Sequence, residues 1–279
     1  MSDRDFTTLP HPSTYYMNLQ QGSDTWKEAR KDFPITGSQI ASVFNLSAYG
    51  GNPKKLLRQK KSNTEEQFSR YQTEVIFAHG TRNEPVAAAE FEAWFKSEFP
   101  ERSQWSVAET GISPYRSNGK KYYYGASPDR LLVDEQGKIQ GIVEIKCPFK
   151  KVFHWNGFLS YLSFLSKNGT TPTKVTETCN IRVYTEYFLQ MQMQMSANGV
   201  DFGYFVGWTP SQLVILHIPF HAEFWSRAEH VMDDFVDALK LNKEELLIKK
   251  EASKKFEAEI KELQDNCNKL VYFNIKRDV

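Results

Sequence analysis

Apolar residues return every three or four positions in several stretches of this chain, and that spacing gathers them on one face of a helix. Ser23 or Asp24 can cap a first helix containing Trp26 and Arg30. The pattern restarts after Ile35-Thr-Gly-Ser38 with Ile40, Ala41, Val43 and Phe44, which puts Thr36 to Ser38 at a helix N-terminus able to hold an anion. Ser47 to Pro53 is a turn-rich break, Leu56-Leu57 begins a short helix, and Lys60 to Glu66 reads as a polar loop. Between Glu74 and Phe99, the residues Phe77, Val86, Ala89, Phe91, Trp94 and Phe95 predict a helix starting near Asn83, with Glu84 in its first turn. Tyr187 to Asn198 is helical, and the spacing resumes at Phe224, Ala228, Val231, Phe235 and Leu239.

Other segments are rich in β-branched and aromatic residues and end on Gly, Asn and Asp. Trp105 to Ile112, Tyr122 to Ser127, Arg130 to Val133 and Ile139 to Cys147 read as a meander, with Asp134-Glu-Gln-Gly137 as its last hairpin turn. Phe202 to Trp208 and Gln212 to Ile218 read as two closing strands around Thr209-Pro210. Together these elements predict an α/β domain with a mixed central sheet flanked by helices, over residues 22–240. Residues 1–21 are expected to form a tether. Within 149–180, the stretch Phe149 to Thr178 reads as an inserted loop. Residues 241–279 are expected to form a charged helical extension, amphipathic or partner-binding, that keeps Leu246, Leu247, Phe256, Ile260 and Leu263.

Composition changes this picture only a little. At 279 residues and 40% hydrophobic, the chain has ample material for a core and is not a disordered protein. Thirty-five Lys and Arg against 34 Asp and Glu leave a net charge of +1, so any nucleic-acid surface must be local. Lys54 to Lys61 is the best placed of the basic runs. The three cysteines fit neither a disulfide framework nor a zinc site, which points to a reducing, intracellular setting. The polar N-terminus and the absence of a long apolar run predict a soluble protein with no membrane partner. Met191, Met193 and Met195 are better read as core filling than as a soft-metal site.

The chemistry concentrates at Ser127-Pro128-Asp129 and at Val143-Glu144-Ile145-Lys146. Side chains alternate along a strand, so Glu144 and Lys146 share a face, while Ile145 and Cys147 turn to the other. Across a hairpin Asp129 can join the first face. An Asp opening a strand and a Glu-x-Lys pair are common, but Glu144 stands in an otherwise apolar run, where a carboxylate is costly without a task. Two carboxylates suit a hard cation such as Mg²⁺, with the Ile145 carbonyl as a further oxygen, and an amine beside them can orient water or stabilise phosphoryl charge.

These residues carry a resemblance. Ser-Pro-Asp followed by Glu-Ile-Lys-Cys-Pro-Phe is similar to the signature of the PD-(D/E)XK nucleases in their phage lambda exonuclease, or YqaJ-like viral recombinase, branch. Trp26-Lys-Glu-Ala-Arg30 with Ile35-Thr-Gly-Ser38, Gly80-Thr-Arg-Asn-Glu84 and Tyr187-Phe-Leu-Gln190 resemble three further blocks of that branch, in the right order. The resemblance implies a restriction-endonuclease-like core and metal-dependent digestion of one strand of linear double-stranded DNA, from 5′ to 3′. A 3′ single strand would remain for annealing or recombination. It further implies that Asp129 and Glu144 bind Mg²⁺, with Mn²⁺ as a substitute; that Lys146 assists the water; that Glu84 supports the metal and Gln190 the same pocket; and that Arg30, Ser38 and Thr36 receive the 5′-phosphate. A single-strand annealing protein is an implied partner, a ring-shaped homo-oligomer or a monomer the implied state, and the cytoplasm or nucleus of a host cell the implied setting if the protein is viral. Two rivals stay open, an endonuclease with the same residues and a retired, DNA-binding scaffold.

Overall fold

A computed structural model describes residues 5–149 and 182–275, apart from 49, 65–68, 118, 120, 211 and 268; of 267 and 269–275 only the backbone is described. The helices are α1 (Ser13–Met17), α2 (Asp24–Ala29), α3 (Ile40–Val43), α4 (Pro53–Ser62), α5 (Ala78–Glu98), α6 (Thr185–Asn198), α7 (Ala222–Leu241) and α8 (Lys250–Cys267). The strands are β1 (Ser106–Ala108), β2 (Ser113–Arg116), β3 (Tyr123–Ala126), β4 (Arg130–Val133), β5 (Ile139–Lys146), β6 (Phe202–Thr209), β7 (Gln212–Pro219) and β8 (Lys269–Ile275).

Six strands form the central sheet in the order β1-β4-β5-β6-β7-β8, antiparallel throughout except between β5 and β6. The mixed sheet flanked by helices is therefore the architecture expected from the pattern. Strand alternation divides its two faces. Val143, Ile145, Tyr204, Val206 and Trp208 pack with Phe91, Trp94 and Phe95 of α5. Ile142, Phe205, Val214 and Leu216 pack on the opposite side with Phe188, Leu189 and the three methionines of α6. Helix α6 is buried over most of its surface because α7 and α8 cover its outer side, so the Met stripe is core.

Four expectations are corrected. The first concerns the meander, because β2 and β3 form a separate two-stranded sheet. The backbone N–H groups of Gly111 and Ile112 donate to Met17 and Tyr16, which ends β1 and turns the chain away from the sheet. The same bonds correct the second: the segment expected to be a tether is docked, with Tyr16 fully buried against Phe33 and Ile112. Third, α5 starts well before Asn83, continuing a π-helical turn at Gln72–Phe77. The Asn83 amide donates back to the His79 carbonyl at 2.8 Å instead of capping a new helix, so Glu84 lies inside the helix and gains nothing from its dipole.

Last, the C-terminal extension belongs to the domain. Ile260 of α8 is buried in the main core, and β8 completes the sheet beside β7. On a smaller scale, α4 runs on to Ser62, into the expected Lys60 to Glu66 loop. The expected insertion lies, Phe149 aside, outside the described residues.

Candidate active site

Strand β5 carries Glu144 into the sheet face covered by α6. Its carboxylate is fully buried, so every hydrogen bond it needs must come from the protein. Helix α6 supplies two. Gln190 and Gln194 are four residues apart and so share a face. The Gln190 amide donates to Glu144 Oε1 at 2.8 Å, and that of Gln194 to Oε2 at 2.7 Å. Lys146, two residues along the strand, also donates to Oε1, and its ammonium lies 5.3 Å from the centre of the Tyr187 ring.

Asp129 stands in the turn before β4, and the antiparallel pairing of β4 with β5 sets it beside β5. Its Oδ2 accepts the backbone N–H of Ile145 at 2.6 Å, a charge-assisted bond that fixes the carboxylate next to Glu144. Gln194 ties the two halves together, because the same amide nitrogen also donates to the Ser127 carbonyl at 3.1 Å. From the other sheet face, Glu84 of α5 reaches the edge of this group through Arg130, which donates to Glu84 Oε1 at 2.8 Å and to the Asp129 carbonyl at 2.5 Å.

Electrostatics follow from burial. Loss of solvent, then the neighbouring charge of Asp129, push Glu144 up to about 7. Burial and Asp129 also raise Glu84, although Arg130 opposes them. For Lys146, burial works to lower the ammonium, but the carboxylates of Glu144 and Asp129 overcome it and hold the amine protonated far above neutral pH. Burial pushes the Cys147 thiol up to about 12, which makes it no nucleophile.

Among the described residues no three His, Cys, Asp or Glu side chains converge as a ready metal cluster. The donor set still fits a hard cation. Asp129 and Glu144 are adjacent carboxylates whose repulsion is part of what raises Glu144, and a divalent ion between them would relieve it.

Arg30, Thr36 and Ser38 form a second group. Arg30 follows α2, and its guanidinium donates to Thr36 Oγ1 at 3.1 Å and Ser38 Oγ at 2.8 Å while lying 4.5 Å from the centre of the Trp26 ring. Thr36 and Gln39 form a capping box that fixes this turn. A Cβ built on Gly37 would lie 3.5 Å from Cγ of Gln190, so the two groups are neighbours across α6. The structure therefore brings together Asp129, Glu144, Lys146 and Gln190, with Arg30, Thr36 and Ser38 alongside and Glu84 joined through Arg130. Sequence reasoning missed Gln194, Arg130 and Tyr187. For Gln194 the signal was present in its i+4 spacing from Gln190; Arg130 looked like an ordinary strand residue.

Fold and centre together define an α/β protein of the restriction-endonuclease-like class. The YqaJ-like viral recombinase domain model matches residues 25–201, and the chain belongs to that family. Among solved structures, an alkaline exonuclease from Laribacter hongkongensis, LHK-Exo, matches with a TM-score of 0.51 and 24% identity, over 85% of this chain and 100% of that one. Its complex with dAMP gives 0.51 and 23%, over 88% and 97%. At that identity the likeness speaks for the fold. A search of curated proteins gives no match.

Proposed function

We propose that the protein is a Mg²⁺-dependent DNA exonuclease that digests one strand of linear duplex from 5′ to 3′ and leaves a 3′ single strand for annealing or recombination. The observation that carries this reading is Glu144: a carboxylate with no solvent exposure, held by Gln190, Gln194 and Lys146 beside a second carboxylate, Asp129. Structural roles rarely repay burying that much charge. Membership of the YqaJ-like viral recombinase family, and the likeness to an alkaline exonuclease, support the reading.

Asp129 and Glu144 would hold Mg²⁺, with the Ile145 carbonyl as a third oxygen. When bound, the ion would supply Lewis-acid polarisation of the phosphate and a more acidic water. Lys146 assists the attacking water and acts as a cation toward the phosphate. Gln190 and Gln194 hold the Glu144 carboxylate in one orientation. Arg30, Thr36 and Ser38 receive the terminal 5′-phosphate, whose extra charge over an internal diester favours it there.

The test is end-labelled linear duplex against covalently closed circles, each with Mg²⁺. Progressive shortening of the linear DNA with intact circles is expected, and loss of that turnover with DNA binding retained is expected for Glu144→Gln and Asp129→Asn. Cutting of circles would favour an endonuclease. Full activity in both variants would refute the site.

A further inference from the structure

Arg130 is a cation buried inside an acidic site. Only 7% of it is exposed, and its guanidinium bridges Glu84 and the backbone carbonyl of Asp129, with Nη2 3.5 Å from the exposed Glu109. It directly follows Asp129, and in the β4–β5 register it faces Val143, the residue before Glu144. Both proposed metal ligands thus flank the position from which this guanidinium projects. We propose that Arg130 occupies the place of a second cation, so that the site takes a single divalent ion on Asp129 and Glu144 and Glu84 is not a ligand. The inference rests on the nuclease reading above.

Three observations converge on it. Hydrolytic centres with two metals clamp the attacking and leaving oxygens with a pair of ions, which requires carboxylates enough to hold both. Here the third carboxylate already has a fixed cationic partner in Arg130. A guanidinium stays ionised at any relevant pH and holds its fork rigidly, so it competes for that carboxylate permanently.

Charge balance points the same way. Asp129, Glu144 and Glu84 against Lys146 and Arg130 leave one net negative charge. One divalent ion turns this to a single positive charge, which matches one phosphodiester; two would leave a large excess. Finally, Glu84 is joined to Asp129 through the Arg130 guanidinium, which donates to the Glu84 carboxylate and to the Asp129 carbonyl and so stands between the third carboxylate and the other two.

Mn²⁺ binding to the full chain, followed by titration calorimetry without DNA, tests the inference apart from turnover. The parent should bind one Mn²⁺ per chain, and two would overturn the proposal. Asp129→Asn and Glu144→Gln should abolish that binding; if they leave it intact, the failure lies with the nuclease site itself. Glu84→Gln should keep the single site within about threefold of the parent affinity, whereas the roughly tenfold or greater loss that follows removal of a ligand or its support would show Glu84 to be a ligand. Arg130→Gln should admit a second Mn²⁺, which the added Glu84→Gln change should remove again. A folded Arg130→Gln protein that still binds only one ion overturns the proposal, and should that variant not fold, the Glu84→Gln result decides.

Discussion

Glu144 draws its hydrogen bonds from Gln190, Gln194 and Lys146, and each donor has a different consequence when removed. Gln194→Leu keeps the size of the side chain but leaves Glu144 Oε2 and the Ser127 carbonyl without their shared donor. Positioning groups behind metal ligands are worth about 10- to 100-fold in metal affinity or activity. A loss of that size, read as a higher Mg²⁺ requirement in initial-rate assays, is expected; an unchanged requirement would show that the amide only fills space. The raised Glu144 also sets a pH dependence. Without metal, the folded protein binds more protons than the unfolded chain between the ordinary Glu value of 4.5 and about 7, so this residue makes stability fall as pH rises through that window. Urea melts in chelator at several pH values, compared with Glu144→Gln, should show the slope in the parent and a flatter one in the variant. At the proposed end-binding group, Arg30→Ala removes charge-assisted hydrogen bonds worth about 1.5–3 kcal/mol, so digestion of 5′-phosphorylated ends should slow by roughly ten- to a hundredfold. Unphosphorylated ends should be slow in the parent and little affected; equal slowing of both would remove Arg30 from end recognition. The juxtaposition of Glu144 and Lys146 was legible in the sequence because strand alternation puts both on one face, and that of Asp129 because it immediately precedes the strand that pairs with theirs. Arg130 was not, since its partner Glu84 lies 46 positions away on another element.

At the scale of elements, the sequence pattern was reliable where one periodicity held and weak where a local signal had two meanings. Helix α6 and strands β5 to β7 lie close to where their apolar spacing put them. Asn83 misled because its amide can cap a helix or bond backward within one, and the choice depends on what precedes it. The N-terminal segment misled for a different reason: Tyr16 finds its apolar partners on Phe33 and Ile112, so no local periodicity announces it. Gly111 marks where that segment docks. A Cβ there would lie 2.3 Å from the Tyr16 carbonyl oxygen and 2.6 Å from that of Leu19, and backbone cannot yield as a side-chain end can. Gly111→Ala should therefore destabilise the protein by about 1–3 kcal/mol, the range for overpacking, and open the first 20 or so residues to protease. A melting temperature equal to the parent's would mean that the segment is held elsewhere.

At the scale of the molecule, β7 is an inner strand only because β8 pairs with it. Truncation after residue 267 would leave Leu213 to Ile218 as an open, apolar edge of the kind that recruits other chains. Concentration-dependent association of the truncated protein, followed by light scattering, is the expected outcome. The parallel pairing of β5 with β6 reaches further. Parallel neighbours cannot be joined by a tight turn, and here the chain leaves β5 just after Lys146 and returns to β6 at Phe202 by way of α6. Glu144 thus stands at the start of one long crossover, and the glutamines that hold it stand near its end. Closing such a loop costs entropy before any contact repays it, which slows refolding. A polypeptide emerging from the ribosome would carry Asp129, Glu144 and Lys146 well before Gln190 and Gln194. The nascent chain would be a harmless precursor, gaining its cutting power only once the crossover has closed.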